Sequence, residues 1–269
     1  YIMSLGIGIK GPEGIVLACD SRITLTAEAK DKPPISVNFD NATKIISFSK
    51  PHNYVGAITY GAAVIGLRTA YSFVSELEVL LDQRERLPVL DYAELISDFL
   101  LKQWKKEMPL DYYGPSMVLI VGGYDPGAAY GKIYVIEIPK NPEPIERNPG
   151  EDNFGMSWGG QLNIVSRLIH GYDPILPQIL QDELDIDQPK LDKLLKQLKE
   201  NLEFSIPYQV LPLQDCVDLA TVMIQTTMNA QNLSIGVRGV GGPIDIAVIT
   251  KTKGLEYIQK KSVTINKDS

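Results

Sequence analysis

The chain has 269 residues, of which 44% are hydrophobic and 22% charged, a balance typical of a globular protein with a sizeable core. Its 33 acidic and 26 basic residues give a net charge of -7, the wrong sign for a surface that follows nucleic acid phosphates. No apolar run reaches the roughly 18 residues of a membrane span, and no signal peptide pattern opens the chain. We therefore expect a cytoplasmic protein with neither nucleic acid nor membrane as a partner.

The cysteines and histidines argue against a metal site. Cys19 and Cys216 lie in apolar surroundings without Cys-x-x-Cys spacing, and His52 and His170 are far apart in the sequence. Structural zinc needs four such ligands at characteristic spacings. The pattern predicts two buried free thiols in a reducing compartment and no bound metal.

The chain opens with a predicted β-hairpin. The apolar runs Leu5–Lys10 and Ile15–Asp20 flank the segment Gly11–Gly14, which has proline and glycine at favoured turn positions. If the last residue of the first run pairs with the first residue of the second, Ser4 lies opposite Ser21. The start of the chain then lies beside the Asp-Ser-Arg stretch at 20–22.

Hydrophobic periodicity and turn residues predict the rest of the fold in chain order. After a polar, proline-containing connection at 26–41, the predicted elements are strands at 44–48 and 54–58, helices at 62–81 and 92–107, the second capped by Asp91, strands at 117–121 and 132–138, helices from 161 to 184, at 189–202 and at 215–229, and a hairpin at 244–249 and 255–258. Strands at both ends with helices grouped between them favour stacked layers in one α+β domain over alternating βαβ units.

Common catalytic motifs are missing from the sequence. A Ser-His-Asp hydrolase would need one of only two histidines, and there is no Gly-x-Ser-x-Gly elbow. The glycine pairs at 122–123, 159–160 and 241–242 do not fit a phosphate-binding loop, and tight turns explain them.

Residues 8–22 resemble the first hairpin of the proteasome β-type family. Further matches follow in order, at Lys44-Ile45, Ala57–Ala63, Val121–Asp125 and Gly241-Gly242. The resemblance covers nearly the whole chain apart from an enlarged helical segment at about 172–212. It implies a single domain over 1–269 with the four-layer αββα sandwich of the N-terminal nucleophile hydrolases.

The resemblance also implies a catalytic group. Aligning Asp20 and Arg22 with the family's Asp-x-Arg places Ser4 at the nucleophile position, where the family has an N-terminal threonine. Lys44 corresponds to the family's essential lysine, with Asp20 holding it charged and oriented. A free α-amine with a pKa of about 7.7–8.0 would then serve as the base for the hydroxyl on its own residue.

The same alignment implies how a peptide would be held. The turn at Tyr60-Gly61 supplies a backbone N–H to the oxyanion, with the choice between the two residues left open. The substrate binds as an added β-strand, and the backbone of Thr24 pairs with it. The first specificity pocket is expected to be apolar and to be lined by Ile23, Ala42, Ile58 and Ala62.

The function implied is a self-compartmentalising peptidase without cofactor or metal, activated by cleavage before Ser4. Its partners would be a peptide or unfolded protein substrate and copies of itself in a homo-oligomeric ring. An ATP-dependent unfoldase is a further partner that the resemblance allows. The number of subunits, and whether the assembly closes, stay open.

Three departures from the family pattern weaken the catalytic interpretation, and the alternative is a non-catalytic, α-like or degenerate, ring or scaffold subunit of the same fold. Trp158-Gly159-Gly160 stands where the family has Gly-Ser-Gly, and Val237 and Val240 replace an acid and a hydroxyl residue before the late glycine pair. Met3 also precedes Ser4, so that an uncleaved chain has an amide where the base should be.

Overall fold

The computed structural model describes residues 4–27, 35–184, 186–236 and 238–262. Met3 and Val237, both named in the sequence predictions, lie outside these ranges. Within the described residues there are fourteen strands: β1 Leu5–Lys10, β2 Ile15–Cys19, β3 Ile23–Ala27, β4 Ile35–Phe39, β5 Ile45–Ser47, β6 Val55–Gly61, β7 Val64–Ile65, β8 Arg68–Thr69, β9 Met117–Gly123, β10 Lys132–Ile138, β11 Asn141–Arg147, β12 Gly155–Gly160, β13 Asp245–Thr250 and β14 Gly254–Gln259.

The helices occupy the middle of the chain and its second half. The described residues form a 3₁₀ helix, Ala70–Phe73, and six α-helices: α1 Val74–Leu81, α2 Val89–Glu107, α3 Leu162–His170, α4 Leu176–Leu184, α5 Gln188–Leu202 and α6 Leu213–Leu233. None of them is both long and apolar enough to cross a membrane.

Two five-stranded antiparallel sheets form the centre of the molecule. The first has the order β12-β1-β2-β13-β14 and the second β11-β10-β9-β6-β5. The first sheet joins both ends of the described chain, because β1 and β13 both pair with β2. The predicted opening hairpin is confirmed with its register, since Lys10 pairs with Ile15.

Buried side chains form three clusters, one between the sheets and one on each outer face. The cluster between the sheets contains side chains of both, among them Ile15, Leu17, Ile58, Ile120, Ile133 and Ile249. On the second sheet α1 and α2 close the outer face, and on the first sheet α3 and α6 do so. The α+β prediction is therefore confirmed.

The helix predicted at 62–81 is wrong in its first half. The chain instead makes the short hairpin β7–β8, and α1 begins only at Val74. Gly61 and Gly66 have φ angles of 85° and 60°, which belong to turns rather than to a right-handed helix. The apolar spacing in this segment serves a hairpin and a 3₁₀ turn that pack on the same core.

The second predicted helix exists but begins earlier. It runs from Val89, preceded by Pro88, so that Asp91 lies inside the first turn and is not the cap. The free N–H of Val89 instead donates to Asp125 Oδ1 over 2.7 Å, so a distant carboxylate satisfies the helix N-terminus.

Besides β7 and β8, four strands were absent from the sequence predictions. β3 and β4 pair as a separate two-stranded sheet. β3 begins before the segment 26–41 that was expected to be a polar connection, and β4 lies within it. β11 carries Pro142 and Pro144, which a strand tolerates at a sheet edge. β12 has the glycine-rich sequence GMSWGG and pairs along the whole of β1.

Candidate active site

The three predicted catalytic residues meet where the two sheets face each other. Ser4 directly precedes β1, Asp20 directly follows β2, and Lys44 directly precedes β5 of the other sheet. The hairpin register brings the first two together, because Gly6 pairs with Cys19. All three side chains are buried, with relative exposures of 4%, 0% and 4% for Ser4, Asp20 and Lys44.

Lys44 bridges the other two residues. Its Nζ donates hydrogen bonds over 2.7 Å to Ser4 Oγ and over 2.7 Å to Asp20 Oδ1. Ser4 Oγ in turn donates weakly to the carbonyl of Arg22 at 3.3 Å. A buried ammonium therefore lies in contact with a hydroxyl and with the carboxylate that balances its charge.

The Asp20 carboxylate accepts three further hydrogen bonds from the backbone. Its Oδ1 accepts from Leu5 N at 3.0 Å, and its Oδ2 accepts from Arg22 N at 3.1 Å and Gly241 N at 3.0 Å. These donors replace the hydrogen bonds to water that the carboxylate loses because it is fully buried. They also hold it in one orientation, with Oδ1 shared between Leu5 and Lys44.

The backbone of Ser4 is held against β12. Its carbonyl accepts from Gln161 N at 2.9 Å, and Ser4 has a φ of 112°, a region that residues with side chains rarely occupy. Gly160, with a φ of 103°, passes so close that a Cβ atom there would overlap the carbonyl of Ser4. The Gly159-Gly160 pair therefore permits a close approach of two backbones at the candidate nucleophile.

A small cavity of about 20 Å³ lies beside Ser4 and Lys44. Of the predicted site residues, Ile23, Ala42, Tyr60, Gly61 and Ala62 also line it. The residues of its wall that the sequence did not suggest are Thr43, Thr59, Ala63, Thr69 and Ala70. Thr69 and Ala70 come from the segment expected to be helical, so the helix prediction concealed them. The small residues Ala62 and Ala63 were the available signal for this wall.

Two predicted substrate residues lie outside that wall. Ile58 is fully buried in the cluster between the sheets and is not among the residues that line the cavity. Thr24 lies in β3, paired with Asn38, and its hydroxyl donates to Asn38 Oδ1 at 2.6 Å. The hairpin β3–β4 is a two-stranded sheet, so β3 has one edge without a described partner strand.

The turn predicted to hold the oxyanion lies at the end of β6. Gly61 has a φ of 85°, and a Cβ atom there would overlap the carbonyl of Ser116. The next amide, Ala62 N, already donates to that carbonyl at 2.9 Å. Glycine is therefore required at 61 by both conformation and space, and Tyr60 and Gly61 both face the cavity.

The side chain of Tyr60 explains one departure from the family pattern. Gly6 and Gly159 pair across β1 and β12, and the tyrosine ring lies over both, so that a Cβ atom at 159 would overlap the Tyr60 hydroxyl. Burial raises the pKa of Tyr60 to about 12, which keeps this phenol protonated at neutral pH. The space of a serine side chain at 159 is thus filled by a phenol from the opposite sheet.

Arg22 makes an ion pair that the sequence did not predict. Its guanidinium donates to both carboxylate oxygens of Asp40, over 2.6 and 2.8 Å, and to the carbonyl of Arg238 at 3.0 Å. The bidentate bond holds the pKa of Asp40 below its usual range. Nothing in the sequence spacing connects these residues, since they come from different loops around the site.

Both cysteines are free and buried, as predicted. Burial raises the pKa of Cys19 to about 12, so its thiol stays protonated at neutral pH and is a poor nucleophile. Among the described residues, no group of three or more His, Cys, Asp or Glu side chains is arranged to hold a metal ion.

Comparison with known proteins identifies the fold. No family model and no curated protein matches the sequence. The structure of an Anbu (Gly-1) mutant from Hyphomicrobium sp. strain MC1 superposes with a TM-score of 0.54 and 13% identity, covering 98% of this chain and 89% of that one.

Two further structures agree. Anbu (ancestral beta-subunit) from Yersinia bercovieri has a TM-score of 0.54 and 15% identity, covering 95% of this chain and 87% of its own. The helical assembly of the Anbu complex from Pseudomonas aeruginosa has a TM-score of 0.53 and 16% identity, with coverages of 96% and 88%. At such identities the likeness shows the fold alone, and it confirms the resemblance to proteasome β-type proteins at that level.

Proposed function

We propose that the chain is a subunit of an N-terminal nucleophile peptidase, a proteasome β-like enzyme of the four-layer αββα sandwich type, with Ser4 as its nucleophile. The observation that carries the proposal is the position of Lys44 Nζ, 2.7 Å from both Ser4 Oγ and Asp20 Oδ1. A buried serine hydroxyl in contact with an ammonium, beside an open cavity, is an arrangement suited to nucleophilic attack.

The proposed reaction follows from these groups. Ser4 Oγ attacks the substrate carbonyl while the free α-amine of Ser4 takes its proton. The ammonium of Lys44 stabilises the developing negative charge on that oxygen, and a backbone N–H at Tyr60 or Gly61 stabilises the oxyanion. The amine of the leaving peptide receives the proton, an ester forms on Ser4, and water then hydrolyses the ester to the acid.

This mechanism requires cleavage of the Met3–Ser4 bond, because an amide nitrogen does not accept the proton. The φ of 112° at Ser4 supports such a cleavage, since it places a residue with a side chain in a costly conformation of about 1–3 kcal/mol. Hydrolysis of the bond before Ser4 removes that constraint. The backbone strain therefore favours the cleaved form of the chain.

The mature N-terminus tests the proposal directly. We expect the intact mass of the purified full chain to correspond to a start at Ser4, and Ser4→Ala to retain Met3 and to lose peptidase activity. Ser4→Thr keeps the hydroxyl and should retain both cleavage and activity. Ser97→Ala is the matched control, because Ser97 is a buried serine that bonds to the carbonyl of Pro142 on the helical face of the second sheet.

Two results would refute the proposal. One is a wild-type chain that keeps residues before Ser4 under all conditions and cleaves no peptide. The other is a Ser4→Ala variant that is folded and as active as Ser97→Ala.

Substrate preference is expected to follow the cavity wall. The side chains other than Lys44 that line it are small, apolar or hydroxylated, among them Ile23, Ala42, Ala62 and Ala70. We expect fluorogenic peptides with alanine, valine or leucine before the cleaved bond to have a kcat/KM at least about tenfold above those with lysine or glutamate, because a buried charge would lack a partner. Equal or reversed ranking would contradict this pocket assignment.

Assembly with copies of the same chain is part of the proposal. The Pseudomonas aeruginosa structure of this fold is a helical assembly of the Anbu complex, which supports an oligomer here. The oligomer could be a closed ring or an open, helical assembly. A peptide or unfolded protein is the proposed substrate, and an ATP-dependent unfoldase is a further proposed partner. Native mass measurement of the full chain distinguishes a monomer, a closed ring and an open series.

The second candidate is a non-catalytic subunit of the same fold. Gly159, with no hydroxyl, and Val240, buried in the helical-face core of the first sheet, favour it, because they remove polar groups that the family carries near the α-amine. The two candidates separate on the mass experiment above: a scaffold subunit keeps its N-terminal residues and its Ser4→Ala variant assembles like the wild type.

A further inference from the structure

A second buried lysine–aspartate pair lies close to the candidate site. Lys261 follows β14, and Asp245 begins β13. The backbone N of Lys261 donates to Asp245 Oδ1 at 2.9 Å, and its Nζ contacts Asp245 Oδ2. The side chains are 10% and 2% exposed, so this ion pair is largely removed from water.

The lysine of this pair makes one more bond, and that bond leads into the candidate site. Lys261 Nζ donates to Ser21 Oγ at 3.0 Å. Ser21 is fully buried, and its backbone is also held on both sides, since its N donates to the carbonyl of Gly241 and its carbonyl accepts from Ala42 N, each at 3.0 Å.

Ser21 lies between the two residues that organise the site. Asp20 precedes it and accepts a hydrogen bond from Lys44 Nζ. Arg22 follows it and donates its backbone N–H to Asp20 Oδ2. Gly241, whose carbonyl binds Ser21, also donates its N–H to the same carboxylate oxygen. A shift of Ser21 would therefore move the donors that orient Asp20.

We propose that Lys261 is a positioning residue: through Ser21 it fixes the Asp20–Arg22 turn, and thereby the Lys44 ammonium, relative to Ser4. The catalytic part of this inference rests on the proposed function. Stability alone does not call for such a pair here, because apolar residues of similar volume often replace a buried ion pair without loss. The Lys261–Asp245 pair does not need the hydrogen bond from Lys261 to Ser21 in order to be stable, so that bond points to a role at the site.

Ser21→Ala tests the link alone, because it leaves the Lys261–Asp245 pair intact. We expect kcat to fall at least about tenfold with KM changed by less than about twofold, as for a misplaced reacting group. Ser21→Thr keeps the hydroxyl and should recover most of the lost kcat. Ser166→Ala, a buried serine of α3, and Lys260→Met, an exposed lysine beside Lys261, should both leave kcat unchanged.

Amide hydrogen exchange tests the same inference without peptidase activity. In Ser21→Ala and Lys261→Met, the amides of Leu5, Arg22 and Gly241 should exchange at least about tenfold faster, while amides of α2 keep their wild-type rates. If the wild type proves inactive and these amides still respond, the proposed function fails and the positioning role stands.

Three outcomes overturn the inference. The first is an active wild type whose Ser21→Ala variant keeps its kcat. The second is unchanged exchange at the three amides in Ser21→Ala. The third is an equal acceleration across all elements in Lys261→Met, which would show a general loss of stability and no specific coupling to the site.

Discussion

Replacing Lys44 with methionine is expected to lower the free energy of unfolding by about 3–5 kcal/mol, the range for breaking a buried ion pair from one side. The Asp20 carboxylate is fully buried, and methionine leaves its charge without a counterion. Because its three backbone donors remain, we expect the loss of free energy of unfolding to lie toward the lower end of this range. Urea denaturation of the full chain measures the difference as a change in midpoint at constant slope.

Lys50→Met is the matched control for that variant. Lys50 is exposed at the turn between β5 and β6, and its replacement should change stability by less than about 0.5 kcal/mol. Under the proposed function Lys44→Met also retains Met3 and loses peptidase activity, whereas Lys50→Met matures normally. Equal stability of the two variants would mean that the buried pair does not hold the site together.

Gly160→Ala is expected to be the most damaging small substitution in the first sheet. Gly160 has a φ of 103°, and a methyl group there would overlap the carbonyl of Ser4. Because the obstacle is backbone in the same sheet, relief requires β12 to separate from β1. We expect a loss of about 3 kcal/mol or more in the free energy of unfolding, measured by denaturant titration.

Gly127→Ala separates backbone conformation from steric overlap. Gly127 has a φ of 80°, and its added methyl group would meet no atom within 4 Å. This variant should lose only the cost of a left-handed residue, about 1–2 kcal/mol. A Gly160→Ala variant no less stable than Gly127→Ala would contradict the close contact between Gly160 and Ser4.

Much of the candidate site could be predicted because its residues flank a local hairpin. Ser4 directly precedes β1 and Asp20 directly follows β2, so both lie at the open end of the hairpin. The proline-glycine turn at the other end fixes the register of the two strands. Lys44 needed the family resemblance, since it belongs to the other sheet. The hydrogen bond from Gly241 N to Asp20 spans 221 positions, and no local pattern encodes such a contact.

The wrong predictions have local physical reasons. The 62–81 segment carries apolar residues at helical intervals, but Gly61 and Gly66 adopt left-handed backbone angles that break the helix. β12 consists largely of small residues, which give no strand periodicity because close backbone approach, and not side-chain packing, selects them. Ile58, predicted to line the pocket, lies in β6 and is completely buried between the sheets, and its contact with a substrate stays a prediction.

The first sheet cannot be completed until β13 and β14, which come last among the described strands, have left the ribosome. β1 is made before the strands β12 and β13 of the same sheet and before Lys261, which bonds to Ser21. Long-range pairing of this kind is slow and leaves strand edges open in nascent chains. Under the proposed function, a translation product that ends before β13 therefore lacks a complete catalytic site and hydrolyses no neighbouring protein.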